Sequence, residues 1–329
     1  MARRILVTGG AGYVGSHAVR ALLEAGSEVV VLDDLSTGHR TAVPKGVELI
    51  VGDVRDEGAV ARAFAGGVID AVLHFAARSI VPESIREPLA YLEGNIGGAH
   101  AILRAALAHD VERFVLSSTA AVYGEPSVSL IDEDQPLAPT NPYGESKLVI
   151  ERTLSWLGKA HGLRWAALRY FNAAGAAMDG TLGEDHRPET HLIPIVLEVA
   201  RGKRDAVRIF GTDYDTPDGT CVRDYVHVCD LADAHLAALE ALGNEEALVL
   251  NLGCGVGRSV REIVDVARDV TGEAIPSVDA PRRPGDPPVL VADPSHAERI
   301  LGWKATRSDP RTIIESAWRF HEAHPEGYA

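Results

Sequence analysis

Asn141-Pro142-Tyr143-Gly144-Glu145-Ser146-Lys147 sets a phenol and an ammonium four residues apart. Asparagine is a good helix cap and proline a good first helical residue, so the segment predicts a helix carrying Tyr143 and Lys147 side by side. An ammonium beside a phenol favours the phenolate, and Tyr143 can then trade a proton with a substrate hydroxyl nearer neutral pH than its ordinary pKa of about 10 allows. Leu116-Ser117-Ser118-Thr119 ends a short apolar run and offers hydroxyls to the same substrate oxygen. A Tyr–Lys pair on a helix surface usually does nothing; the company this one keeps gives it chemistry.

That company starts with Thr8-Gly9-Gly10-Ala11-Gly12-Tyr13-Val14-Gly15, directly after the first apolar run. Glycines 9, 12 and 15 permit a tight turn, close approach of a pyrophosphate to the N–H groups at a helix start, and close helix–strand packing. Eighteen residues after Gly15, the run Val29–Leu32 ends in Asp33-Asp34. A carboxylate there can accept hydrogen bonds from ribose hydroxyls and repels the extra phosphate of NADP, which predicts NAD. Gly52-Asp53-Val54 and Phe75-Ala76-Ala77 end two further runs, where this architecture opens its ligand crevice. Asp53 also reads as a cap for the helix that follows.

The elements needed to position these groups are legible. Ile5–Val7, Val29–Leu32, Val47–Val51, Ala71–Phe75, Phe114–Leu116 and Trp165–Leu168 are continuous apolar runs of the kind buried on both faces of a parallel sheet. Helical patterns lie between them near Val14–Glu24, Glu57–Ala65, Leu89–Ala108 and Tyr143–Ala160. The alternation predicts an α/β chain, a Rossmann-type doubly wound parallel sheet with a smaller mixed α/β substrate domain. Residues 1–175 read as the dinucleotide-binding part and 176–329 as a smaller second domain, or a lobe draped over the sheet's carboxyl edge. Ala176–Pro188 reads as a long loop; Ser259 with Glu262, Asp293-Pro294 and Asp309-Pro310 signal helix starts.

Composition narrows the function. The 329 residues are 46% hydrophobic and 24% charged, values of an ordinary globular protein. A net charge of −15 argues against nucleic acid as a partner. Three cysteines without a CxxC pair predict reduced, buried thiols, and thirteen histidines without an HxxxH pair predict no metal. The apolar run at the N-terminus breaks after Val7, too early for a secretory leader, and no stretch approaches the about 18 apolar residues of a membrane span. A cytoplasmic protein is expected.

Further blocks carry a resemblance. They are Ser118-Thr119-Ala120-Ala121-Val122-Tyr123-Gly124, Leu168-Arg169-Tyr170-Phe171-Asn172, the stretch Asp218–Val228, and Arg282-Arg283-Pro284-Gly285-Asp286. With the glycine motif and Tyr-x-x-x-Lys, they make essentially the whole chain resemble the extended short-chain dehydrogenase/reductases, and within them the 4-epimerases of UDP-hexoses. The resemblance implies interconversion of UDP-galactose and UDP-glucose, with Tyr143 as acid/base. It implies that Lys147 tunes Tyr143 and orients the nicotinamide ribose, and that Thr119 supplies the hydroxyl. Relatives carry serine there, so the threonine must hold a serine-like geometry with an added methyl group. Asn95 and Phe171 match cofactor-side positions. Asn172, Arg223 and Arg283 match positions gripping the diphosphate, as guanidinium groups can. Asp286 matches a uridine-ribose contact and Phe210 a neighbour of the uracil, although salt bridges and core packing would also account for the arginines and Phe210. Leu290 falls where such enzymes vary between large residues that restrict them to UDP-glucose and UDP-galactose and small ones that admit N-acetylated sugars. Leucine is intermediate, implying weaker activity on UDP-N-acetylglucosamine.

Two rivals follow from the same residues. A nucleotide-sugar 4,6-dehydratase would need a further acid and base, and the positions after Thr119 that hold carboxylates in such relatives are Ala120 and Ala121. A non-catalytic NAD-binding sensor should have lost Tyr143 or Lys147, and both are present. The resemblance also implies a homodimer in which the helices Leu89–Ala108 and Tyr143–Ala160 form a four-helix bundle with their mates.

Overall fold

Seven parallel strands form the central sheet in the order Ala247–Leu252, Arg164–Tyr170, Arg113–Thr119, Ala71–His74, Arg4–Thr8, Glu28–Asp33 and Glu48–Val51. The computed structural model describes residues 3–283 and 286–328; Met1, Ala2, Ala329 and the Pro284-Gly285 step of the Arg282–Asp286 block lie outside them. Alternate residues of each strand enter different cores. Ile5, Val7, Val29, Val31 and Leu73 join one with the helices Tyr13–Glu24 and Val228–Ala241. Leu6, Val30, Leu32, Val72 and Phe114 join the other with Glu57–Ala65, Gly97–Ala108 and Pro142–His161. Burial on both faces is why the strands read as unbroken apolar runs. Strand order reverses beside Arg4–Thr8, and the crevice of such a sheet opens there, at the carboxyl ends.

The remainder is a mixed lobe. Helices Leu192–Ala200, Val260–Thr271 and Pro310–Ala323 share a third core. A four-stranded sheet runs Arg258–Ser259, Val222–Arg223, Val289–Ala292, Leu130–Ile131. Ser259 and Glu262 form the expected capping box, and Asp309 caps the helix that Pro310 starts. The chain from 175 to 191 has no regular element, as the loop reading expected.

Four local expectations need correction. The helix expected over Leu89–Ala108 is interrupted: Pro88–Tyr91 passes through a π-helical turn, Leu92–Ile96, before Gly97–Ala108. The wider turn accompanies an inward-facing Asn95, which donates to the Arg78 carbonyl (3.0 Å) and to Ser146 Oγ (2.9 Å). Asp56, not Asp53, caps the helix Glu57–Ala65, because Asp53 is drawn into an ion pair with Arg55. Asp293 accepts from Ser295 N at 2.9 Å, so that helix begins after Pro294 rather than at it. All three cysteines are free, but only Cys221 is buried; Cys229 and Cys254 are half-buried.

Candidate active site

Tyr143 is fixed from below by its helix and from the side by a turn. Asn141 caps Pro142–His161 by accepting from Gly144 N at 2.9 Å, with Pro142 in the first turn. Gly144 lies so close to the turn Ala120–Tyr123 that a Cβ there would stand 2.6 Å from the Ala121 carbonyl oxygen. This approach brings the Tyr143 phenol to Thr119. Of the three hydroxyls at the end of Arg113–Thr119, Ser117 is taken by Tyr170 (2.6 Å) and Ser118 by Glu151 (2.5 Å). Thr119 Oγ1 accepts from Ala121 N at 3.1 Å, which leaves its proton for the phenol oxygen. Burial pushes the Tyr143 pKa above the ordinary tyrosine value, with the Thr119 hydroxyl pulling the other way.

That direction corrects the expectation of a phenolate favoured near neutral pH. Lys147 turns inward rather than onto the phenol: fully buried, its Nζ donates to the Ser117 carbonyl at 2.8 Å. Burial lowers its pKa to about 8, and the Glu151 carboxylate works against that fall. Glu151 is in turn clamped by Arg169, whose Nη2 and Nε lie 2.6 and 3.1 Å from its two oxygens. Arg169 Nη1 donates to the Tyr123 hydroxyl (2.9 Å), which donates to Asn251 (2.7 Å).

The glycine turn has the shape an anionic dinucleotide needs. Gly9 has φ +73°, and a Cβ on it would meet Ala76 N at 2.5 Å; one on Gly15 would meet the Gly9 carbonyl oxygen at 2.1 Å. No side chain caps the helix Tyr13–Glu24 and its first turn holds no acidic residue, so its N–H groups suit a phosphate. Gly12, Tyr13, Val14, Asp53, Val54, Phe75, Ala76 and Ala77 are all half-buried around this end of the sheet. Asp33 is buried and holds the turn together, accepting from Ala11 N (2.9 Å) and Leu35 N (2.8 Å). Asp34 is exposed and bonds Ser36, so Asp33 is the carboxylate that faces the glycine turn. Asn95 spends its amide on Arg78 and Ser146, fastening the segment after Ala71–His74 to the helix of Tyr143.

The residues matched to the sugar nucleotide are Asn172, just before the long loop, and others in the second lobe. Asn172 Nδ2 donates to the Asp224 carbonyl at 2.9 Å. Arg223 forms an ion pair with Asp286 and donates to the Val222 carbonyl at 2.8 Å. The Arg283 guanidinium lies over the Phe210 ring, 3.9 Å from its centre. Leu290 is half-buried, sits in register with Arg223, and packs with Phe171 against Ala120, Val122, Tyr123 and Leu148. It therefore adjoins the turn that holds Thr119.

Sequence reasoning missed two groups of residues. Glu151 and Arg169 bear on Lys147 from two different elements; the only sign of Glu151 was its spacing, four residues after Lys147. The second group is Glu184, His186, Glu189 and His191, whose ligand atoms come within 4.8 Å of one another. It does not fit HxxxH, because the repeat is Glu-x-His-x-x-Glu-x-His with its histidines five apart. No helix among the described residues is long and apolar enough to cross a membrane.

Residues 5–253 match the model of the NAD dependent epimerase/dehydratase family. The chain is 52% identical to a UDP-glucose 4-epimerase of Halalkalibacterium halodurans over 326 residues, 99% of this chain and 97% of that one. A crystal structure of a UDP-glucose 4-epimerase superposes with a TM-score of 0.97 at 50% identity, covering 99% of this chain and 100% of that chain. The Bifidobacterium longum UDP-glucose 4-epimerase in complex with NAD+ and UDP gives 0.94 at 39% identity, with 99% and 100% covered.

Proposed function

The chain belongs to the NAD dependent epimerase/dehydratase family, and from that premise we propose that it interconverts UDP-galactose and UDP-glucose, inverting C4 through a 4-keto sugar with NAD as cofactor. The observation that carries this reading is the meeting of Tyr143 with Thr119 beside Ala120 and Ala121. One proton carrier faces one hydroxyl donor, and the neighbouring positions hold nothing that could eliminate water, which disfavours the dehydratase.

In this reading Tyr143 takes the proton of the 4-hydroxyl and later returns one to the ketone oxygen. The Thr119 hydroxyl donates to the oxygen that carries the charge, and Lys147, anchored on the Ser117 carbonyl, keeps an ammonium beneath them. Gly9, Gly12 and Gly15 with the N–H groups of Tyr13 and Val14 would hold the NAD pyrophosphate, and Asp33 and Asp34 its adenosine ribose. Asp53, Val54, Phe75, Ala76, Ala77, Asn95 and Phe171 would line the rest of the crevice. When bound, NAD would supply the hydride acceptor and donor for C4 of the sugar, so no external reductant would be consumed. Asn172, Arg223 and Arg283 would take the diphosphate, Asp286 the uridine ribose and Phe210 the uracil. For Arg223 this means sharing its guanidinium between Asp286 and a phosphate. Residues 1–175 with about 224–250 would then be the NAD-binding part, which also brings Thr119, Tyr143 and Asn172 to the sugar nucleotide, and the rest of 176–329 the sugar-nucleotide part.

Purified protein incubated with UDP-galactose and no added cofactor should yield a mixture of the two UDP-hexoses, and denaturing it should release NAD. Failure to release any dinucleotide, with activity strictly dependent on added NADPH, would overturn both the epimerase reading and the role of Asp33.

The packing of Leu290 against the buried cluster of Ala120, Val122 and Tyr123 supports a part in sizing the group at C2 of the sugar. The non-acetylated pair is expected to be preferred, with weaker turnover of UDP-N-acetylglucosamine. Leu290→Tyr should abolish the N-acetyl activity and spare the other, whereas Leu290→Ser should raise it. Equal N-acetyl activity in parent and both variants, measured with each substrate at saturation, would remove Leu290 from this role.

The same reading gives a cytoplasmic homodimer. Leu89 (68% exposed) and Trp156 (69%) are large apolar side chains left open on the two helical segments that would build the four-helix bundle. Light scattering in solution should then return twice the 35.1 kDa of the chain.

A further inference from the structure

The loop before Leu192–Ala200 carries Glu184-x-His186-x-x-Glu189-x-His191 and folds its four side chains toward one point. His186 Nδ1 is 3.1 Å from Glu184 Oε1 and 3.9 Å from Glu189 Oε2, and His191 Nδ1 also meets Glu184 Oε1. Nitrogen and oxygen ligands at about 2.0–2.1 Å from a tetrahedral zinc ion stand about 3.3 Å from one another. The cluster brackets that spacing.

Its charge calls for a cation. The Glu184 and Glu189 side chains are 5% and 4% exposed, and among the described residues neither is paired with a lysine or arginine. Two buried carboxylates are costly unless positive charge joins them, as protons on the facing imidazoles or as a metal ion in their place. Glu189 is also aimed: its Oε1 accepts from Thr190 N (2.7 Å) and His191 N (2.9 Å), while Oε2 is the oxygen near His186. Outer hydrogen bonds of this kind orient metal ligands. Imidazole ligands disfavour magnesium and calcium, and the absence of thiolate from the set disfavours copper(I); two imidazoles with two carboxylates suit zinc.

We propose that Glu184, His186, Glu189 and His191 bind one divalent transition-metal ion of the zinc class, which fastens this loop against the dinucleotide turn. The link to that turn is direct. The Tyr13 ring meets the His186 ring edge-on at 6.4 Å between centres, and the Tyr13 hydroxyl donates to the Gly175 carbonyl at 2.6 Å, where the loop departs. The four ligands take no part in proton transfer at Tyr143, so the ion is structural. On binding it replaces the protons now shared between imidazole and carboxylate, which leave to solvent.

The test uses untagged, full-length protein with its cofactor. Purified from zinc-supplemented medium and desalted, it should carry one zinc per chain by plasma mass spectrometry. After a chelator removes the zinc, added cobalt(II) should produce the intense visible absorption of a tetrahedral site, and zinc should abolish it. Glu184→Gln and His191→Ala should each weaken cobalt binding at least 100-fold; His191 is exposed, so the second variant tests the site without disturbing a buried carboxylate. His296→Ala, which removes a different His–Glu pair, should bind as the parent does. Only trace zinc with no cobalt band would show a hydrogen-bonded ion cluster and overturn the proposal. Unchanged stoichiometry in both site variants would overturn it too, by locating the metal elsewhere.

Discussion

Tyr143→Phe should turn over UDP-galactose about 10²–10⁴-fold more slowly than the parent while binding UDP within a few-fold of it. The substitution removes one oxygen and keeps the half-buried ring, so packing around Ser146 and Lys147 is preserved. In the proposed reading the lost oxygen is the proton carrier, and the Thr119 hydroxyl is its hydrogen-bond partner. Ser117 and Ser118 are already committed to Tyr170 and Glu151, so neither can stand in. Thr119→Ala should cost less, because it removes a donor to the charge and not the carrier of the proton; Thr119→Ser should be near neutral. Steady-state kinetics beside UDP titration separates the effects. Parent-level turnover in the phenylalanine variant would show that another group moves the proton.

Glu151→Leu should destabilise the protein by about 3–5 kcal/mol, the penalty for stranding a buried charge. The stranded group is the Arg169 guanidinium, whose side chain is 4% exposed and whose ionic partner is Glu151. Ser118 Oγ would lose its acceptor as well. If the damage lies in the unpaired cation, Glu151→Leu combined with Arg169→Leu should recover at least half of it, since an apolar pair of similar volume replaces the ion pair at little cost. Denaturation of the four proteins of this cycle checks the expectation. A double variant no more stable than Glu151→Leu would assign the loss to packing. Glu151 also opposes the fall of the Lys147 pKa, so the variant should hold less ammonium at neutral pH and lose rate even where it remains folded. That Lys147 effect has a definite sign: its pKa of about 8 lies below the ordinary lysine value, so the unfolded chain binds more protons between the two, and Lys147 becomes less destabilising as pH rises through that window.

Much of this was legible in the sequence because the fold repeats one physical pattern. Strands buried on both faces leave unbroken apolar runs, and caps such as Asn141, Ser259 and Asp309 leave a side chain with a fixed spacing to the helix. What could not be read depends on contacts made at long range. Leu92–Ile96 has the composition of an ordinary helix, and its π turn accompanies the placement of Asn95 against Arg78 and Ser146. Ser117, Ser118 and Thr119 are equivalent as a string and differ only once Tyr170 and Glu151 arrive from other elements. The Tyr143 expectation failed for the same reason: spacing put an ammonium beside the phenol, whereas the Ser117 carbonyl draws that ammonium inward and burial decides the direction. Strands as short as Leu130–Ile131 and Val222–Arg223 offer too few residues for any periodicity to register.

The edge strand Ala247–Leu252 pairs with Arg164–Tyr170, with Leu252 opposite Tyr170, although the whole loop and much of the second lobe lie between them in the chain. A ribosome makes the protein in the opposite order of need. At about 5–20 residues per second, roughly 4–16 s separate the synthesis of Tyr170 from that of Leu252. For that interval the nascent sheet presents an open, apolar ladder of peptide groups, the template onto which stray strands add. A chain stopped near residue 175 would keep that open edge permanently. Residues 1–175 are therefore not a free-standing module that could be cut out and grafted, and the chain up to Ala247 is what their sheet must wait through before its last strand is laid on.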